Sequence, residues 1–186
     1  MKIVFSIGGS LICPDEIDEN YLREIGNFLK EISNEHKIYV VVGGGKIARK
    51  YVNVARKFNS NEFLCDLIGI YATRLNAFML ISALNLNYIP YESIIEASRS
   101  NEKIVVIGGT HPMHTTDGVA AMLAENVNAD LLINLTNVDY VYDKDPRKFK
   151  DAKKFEKMNY DELIEIVSKG EMMASSSNII DLVAAK

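Results

Sequence analysis

The sequence predicts an α/β fold, a three-layer αβα sandwich in which a mainly parallel sheet is covered by helices on both faces. Two features carry this expectation. Apolar runs of strand length alternate with stretches of helical periodicity, and three of the runs empty into glycine turns, Gly8-Gly9-Ser10, Gly43-Gly44-Gly45-Lys46 and Gly108-Gly109-Thr110. Strands buried on both faces read as near-continuous apolar runs, the pattern of a parallel sheet packed between helices.

Residues 3–7 give the first strand. Tyr21, Ile25, Phe28, Leu29 and Ile32 then fall on one helical face, which leads into a second strand at 38–42. Ile47, Tyr51, Val54 and Phe58 form another helical stripe, and a longer helical pattern runs over 61–84 with Gly69 inside it. Further strands are expected at 88–91, 104–107 and 131–135, the last two separated by a helix over 116–126. Residues 142–154 read as a charged loop containing Pro146. No repeat or linker divides the chain, so 1–186 is read as a single domain.

The 186 residues, 48% hydrophobic and 25% charged, are enough for one domain with a sizeable core. A net charge of −4 and a pI near 5.4 argue against a nucleic-acid partner, which calls for a basic face. The apolar amino terminus is interrupted by Gly8 and Gly9, is too short to span a bilayer and lacks a small-residue cleavage site. No membrane partner and a cytoplasmic location are therefore expected. Cys13 and Cys65 have no metal-ligand spacing and read as two thiols in a reducing compartment. His111 and His114 are separated by Pro112 and lack a nearby third ligand, so no protein-bound metal is expected.

A strand that ends in glycines before a helix start offers free backbone N–H groups and a positive dipole end to an anion. One such turn can serve any tight bend. Three of them suit a molecule that must hold more than one phosphate group, as a phosphotransferase must.

Four segments carry a resemblance. They are 40–51 (VVVGGGKIARKY), 66–77 (DLIGIYATRLNA), 108–117 (GGTHPMHTTD), and Thr136-Asn137-Val138-Asp139 with Tyr142 and Asp145-Pro146. In order and over essentially the whole chain they resemble the archaeal-type uridylate (UMP) kinases of the amino acid kinase superfamily. The resemblance implies transfer of the γ-phosphoryl group of ATP, carried with Mg2+, to UMP, giving UDP and ADP for pyrimidine nucleotide synthesis. It places Gly9, Ser10, Gly45 and Arg49 at the ATP phosphates, where N–H groups and a guanidinium suit charge spread over phosphoryl oxygens. Thr136, Asn137, Tyr142 and Asp145 match the pocket for the adenosine part of ATP. Gly44 and Asp66 match the UMP side, Asp66 accepting from ribose hydroxyls, and Thr110, His111, Pro112, Met113, His114, Thr115 and Thr116 match the segment that wraps UMP. Asp117 matches a carboxylate behind the transferred group, with Arg49 the second catalytic expectation. A homo-oligomer, a hexamer built from dimers, is implied as well, and the pattern at 61–84 carries more apolar surface than one core face needs.

Read from the residues alone, Asp117 also fits first-turn helix capping, Arg49 fits a solvated face beside Lys46 and Lys50, and Tyr142 fits core packing. Departures from the pattern are Ser6, where the wider superfamily has lysine, Met113, Tyr140 and Ser175 in place of glycines, and Leu182 in place of a proline. Wherever such a glycine supplies left-handed backbone, a side chain costs about 1–2 kcal/mol. The chain reaches Lys186 where relatives begin a further helix, strand, helix and closing strand, so the fold is expected to lack the usual C-terminal elements. Two other functions remain open. A related small-molecule phosphate kinase such as isopentenyl phosphate kinase has a histidine after its glycine loop, absent at 43–46; a degenerate nucleotide-binding protein retains the fold without turnover.

Overall fold

A computed structural model of the chain describes residues 1–143, 149–168 and 182–185. Strands β1 (Lys2–Ile7), β2 (Lys37–Val42), β3 (Ile104–Ile107) and β4 (Leu131–Leu135) form one sheet in the order β3-β2-β1-β4, and each neighbouring pair is parallel. Parallel neighbours need crossovers, which the helices supply. α1 (Gly9–Ile12) and α2 (Glu19–Ile32) lead from β1 to β2, and α3 (Gly45–Lys57), α4 (Glu62–Ala83) and α5 (Ile94–Arg99) lead from β2 to β3. α6 (Thr116–Val127) then leads to β4, followed by β5 (Val141–Tyr142), β6 (Lys154–Phe155), α7 (Tyr160–Ser168) and α8 (Leu182–Ala185).

The strand period of two sorts the core into two layers. Ile3, Phe5 and Ile7 face α1, α2 and α4 through Ile12, Leu29, Ala77, Leu80 and Ile81. Val4 faces the other way with Tyr39, Val41, Val105 and Ile107, onto Ala97 of α5 and Val119, Ala120 and Leu123 of α6. Each aliphatic side chain so buried contributes about 1.5–3 kcal/mol. Polar side chains start the helices: Asp18 accepts from the Tyr21 N–H, and Asn61 from the Leu64 N–H, each at 2.9 Å.

Several expectations need correction. Residues 88–91 form no strand; Pro90 has no N–H to donate, and the segment is reduced to one bridge from Tyr91 to Ile107. Tyr88 instead donates its hydroxyl to the Ile104 carbonyl at 2.7 Å, and burial pushes its pKa up. The short helix α5 was not anticipated. The charged loop is closed at its base by the antiparallel pair β5 and β6. The α3 stripe does not point inward, since Tyr51, Val54 and Phe58 are all exposed, Phe58 by 80%. α4 is long and apolar enough, by length and composition, to cross a membrane, yet Ala77, Leu80 and Ile81 bury it against the sheet.

Candidate active site

In a parallel sheet all carboxyl ends share one edge, where ligands of α/β proteins bind. Along that edge the sheet order lines up segment 108–110 after β3, 43–45 after β2, 8–10 after β1 and 136–137 after β4. The segments matched to UMP therefore lie toward the β3 end and those matched to adenosine at the β4 end, with two glycine turns between them. These turns touch through their backbones. A Cβ on Gly9 would collide with the Gly43 carbonyl and the Gly45 nitrogen, and one on Gly43 would lie 2.8 Å from the Gly9 nitrogen. Gly45 adopts φ 60°, which only glycine takes freely. The Gly8 N–H donates to the Leu135 carbonyl and the Gly43 N–H to the Ile7 carbonyl, each at 2.9 Å, so both turns are tied to the strand ends.

α4 buttresses the edge from below with polar groups that the sequence left without a role. Asn76, 4% exposed, donates its Nδ2 to the Gly43 carbonyl at 2.8 Å and the Gly44 carbonyl at 3.3 Å. Thr73 Oγ1 accepts the Gly109 N–H at 2.6 Å and donates to the Ile70 carbonyl at 2.6 Å. Arg74 donates through Nε to the Gly109 carbonyl at 3.3 Å and pairs with Glu92 at 2.9 Å. A Cβ on Gly108 would lie 2.8 Å from Thr73 Oγ1, so glycine there lets the helix come this close. The available signal was the polar set Thr73, Arg74 and Asn76 within the mainly apolar stretch 67–81 of α4.

Arg49 and Asp117 lie on α3 and α6, the helices that follow the segments 43–45 and 108–110. Arg49 is exposed and lies four residues after Gly45, on the same helical face, from which side chains lean back toward the helix start. Neighbouring Lys46 is drawn off by Asp15 at 3.1 Å. Asp117 sits in the first turn of α6, but the cap is Thr115, whose side chain accepts the Gly118 N–H at 3.0 Å. Asp117 accepts instead from Ser6, a hydroxyl 3% exposed on β1, at 2.9 Å. Thr116 Oγ1 approaches to 3.4 Å of a Cβ built on Gly43.

On the acceptor side, Asp66 Oδ2 accepts the Met113 N–H at 2.8 Å. Met113 has φ 67°, so the left-handed cost expected of a replaced glycine is present there; Tyr140 is not in that region. Thr110 is buried, and its Oγ1 has no hydrogen-bond partner among the described residues. Together with His111, His114, Met122 and Glu125 it lines a cavity of about 530 Å³. The two histidine rings stand 6.2 Å apart, and among the described residues no group of three His, Cys, Asp or Glu side chains is placed to hold a metal. Pro112 is half-buried between them.

At the other end, Gly8 abuts Thr136, whose Cα is 3.9 Å from a Cβ built on that glycine. Thr136 and Val138 line a groove of about 470 Å³ with Leu11, Tyr21 and Phe28; Asn137 is exposed beside it. Tyr142 donates to Asp139 at 3.1 Å, and partial desolvation followed by the Asp139 carboxylate raises its pKa. Ser10 lies within the short α1. Asp145 and Ser175 fall outside the described residues.

The model of the amino acid kinase family matches residues 1–186. The chain belongs to the amino acid kinase family. Among its relatives, the uridylate kinase of Thermococcus onnurineus is 48% identical over 192 residues, covering 100% of this chain and 84% of the relative. That of Methanocaldococcus jannaschii is 49% identical over 193 residues, covering 100% and 85%. Among solved structures, the uridylate kinase of Archaeoglobus fulgidus superposes with a TM-score of 0.89 at 42% identity, covering 100% of this chain and 84% of that one. The UMP kinase of Ureaplasma parvum, with a TM-score of 0.77 at 23% identity, covering 100% and 83%, shares the family fold.

Proposed function

We infer that this amino acid kinase family member is a nucleoside monophosphate kinase that transfers the γ-phosphoryl group of ATP to UMP, giving UDP and ADP. The observation that carries this reading is the 48–49% identity to uridylate kinases over the whole chain. The order of segments along the sheet edge supports it, because acceptor and donor sides flank the paired glycine turns. An ionised oxygen of the UMP phosphate is already a nucleophile, so no side chain need act as a base. The chain's work is to align two polyanions and to stabilise charge on the transferred group.

In this reading the N–H groups of the turns at 8–10 and 43–45, with Arg49, hold the phosphates of ATP. Thr136, Asn137, Tyr142 and Asp145 form the adenosine side. Gly44, Asp66 and residues 110–116 hold UMP. Mg2+ enters as part of the ATP complex and neutralises phosphate charge, while Asp117, held by Ser6, orients the cationic partners. The exposed apolar side chains on and just after α3 and on α4, among them Tyr51, Phe58, Phe63, Tyr71 and Leu75, make a two-fold contact between copies the basis of a proposed cytoplasmic homo-oligomer, a hexamer built from dimers. Phosphorus NMR of a mixture of UMP, ATP, Mg2+ and the protein tests the reaction: new UDP resonances growing as ATP falls support it, and ATP hydrolysis without UDP overturns it.

A further inference from the structure

The acceptor-side reading gives Asp66 to the ribose, yet one of its carboxylate oxygens is already engaged by the chain itself. Oδ2 accepts the Met113 N–H at 2.8 Å, across 47 residues and between two separate elements. Met113 reaches that position only through left-handed backbone, φ 67°, which disfavours every residue with a Cβ. Its side chain recovers none of this cost, being 92% exposed. The loop is anchored on both flanks, by Gly109 on Thr73 and by Thr115 at the start of α6, and the His114 N–H closes a turn onto the His111 carbonyl at 3.3 Å. Between those anchors, the bond to Asp66 is the interaction that repays the strained residue.

We propose that Met113 is a positioning residue of the acceptor site: its main-chain N–H clamps Asp66 Oδ2, leaving Oδ1, which accepts no hydrogen bond among the described residues, for a ribose hydroxyl of the acceptor nucleotide. The proposal rests on the UMP-kinase reading. A carboxylate gripped through one oxygen loses rotational freedom and meets the ribose in a fixed orientation, so less order is left to impose on binding. Segment 110–114, between the anchors, then has a clamped state closed on α4 and an unclamped state in which residue 113 relaxes to negative φ. The left-handed cost biases a residue with a Cβ toward the unclamped state, and glycine lifts that bias.

The test compares Met113→Gly with Met113→Ala, which differ in backbone preference while both keep the N–H and both lack the thioether. Calorimetric titration is expected to show UMP binding Met113→Gly about two- to fivefold more tightly than Met113→Ala, with the same comparison for ATP giving a ratio near one. In the unliganded protein, amide hydrogen exchange at Met113 is expected to be slow despite the exposed side chain, and at least about tenfold faster in Asp66→Ala. Equal UMP affinities for the two Met113 variants, ATP ratios that move in step with those for UMP, or Met113 exchange unchanged by Asp66→Ala each overturn the clamp. Wild-type protein that binds ATP but not UMP overturns the acceptor reading, and the ribose role with it. That outcome is separate from failure of the clamp alone, which requires normal UMP binding by the wild type.

Discussion

Asn76→Ala probes the tie between α4 and the central glycine turn. The amide donates at 2.8 Å to the Gly43 carbonyl, a buried acceptor beside the predicted phosphate site. Removing the donor strands that carbonyl, at about 1–3 kcal/mol, so about 2 kcal/mol is a central value. For a chain of this size that lowers Tm by about 4–8 °C. Freed from the helix, the turn at 43–45 no longer holds its N–H groups in place, and kcat/KM falls about tenfold, equivalent to about 1.4 kcal/mol of lost transition-state binding. Asn76→Asp costs more, because a carboxylate then faces the carbonyls of Gly43 and Gly44. Thermal unfolding followed by circular dichroism, with ADP release measured on the same preparations, gives both numbers. A Tm within a degree of wild type together with unchanged kcat/KM refutes the buttress.

Arg49→Ala is expected to lower kcat by about 10²–10³-fold with Tm unchanged, since the side chain is exposed and the proposed function sets its charge on the transferred group; steady-state kinetics showing unchanged turnover assign Arg49 to a solvated surface. Asp66→Ala raises KM for UMP more than KM for ATP, and equal effects show that the two nucleotide sides are wrongly assigned. Gly9→Ala drives a methyl group into the Gly43 backbone, so it destabilises the fold by about 1–3 kcal/mol and weakens ATP binding; a thermal melt at wild-type temperature contradicts that close approach.

The strands at 3–7, 38–42, 104–107 and 131–135 were legible because helices cover both faces of the sheet, which leaves almost no polar position to interrupt each run. The three glycine turns were legible because close backbone approach tolerates no other residue. Segment 88–91 was misread, since two tyrosines and an isoleucine favour strand while Pro90 removes the donor a ladder needs. Periodicity located the α3 stripe but could not say which way it faces, and Tyr51, Val54 and Phe58 point outward. The roles of Thr73 and Asn76 were hidden because their partners lie 36 and 33 residues away, a separation no local pattern encodes. For Asp117, position in the chain suggested capping and only the resemblance suggested catalysis; Thr115 fills the cap position, and the Asp117 carboxylate accepts from Ser6.

Acceptor specificity tests the central claim most directly. A coupled assay of ADP release, with Mg2+ and ATP held constant and UMP, CMP, AMP and isopentenyl phosphate offered in turn, is predicted to give UMP the highest kcat/KM, with the other acceptors at least about tenfold lower, a margin of about 1.4 kcal/mol. Preference for another acceptor, or nucleotide binding with no turnover on any of the four, contradicts the account.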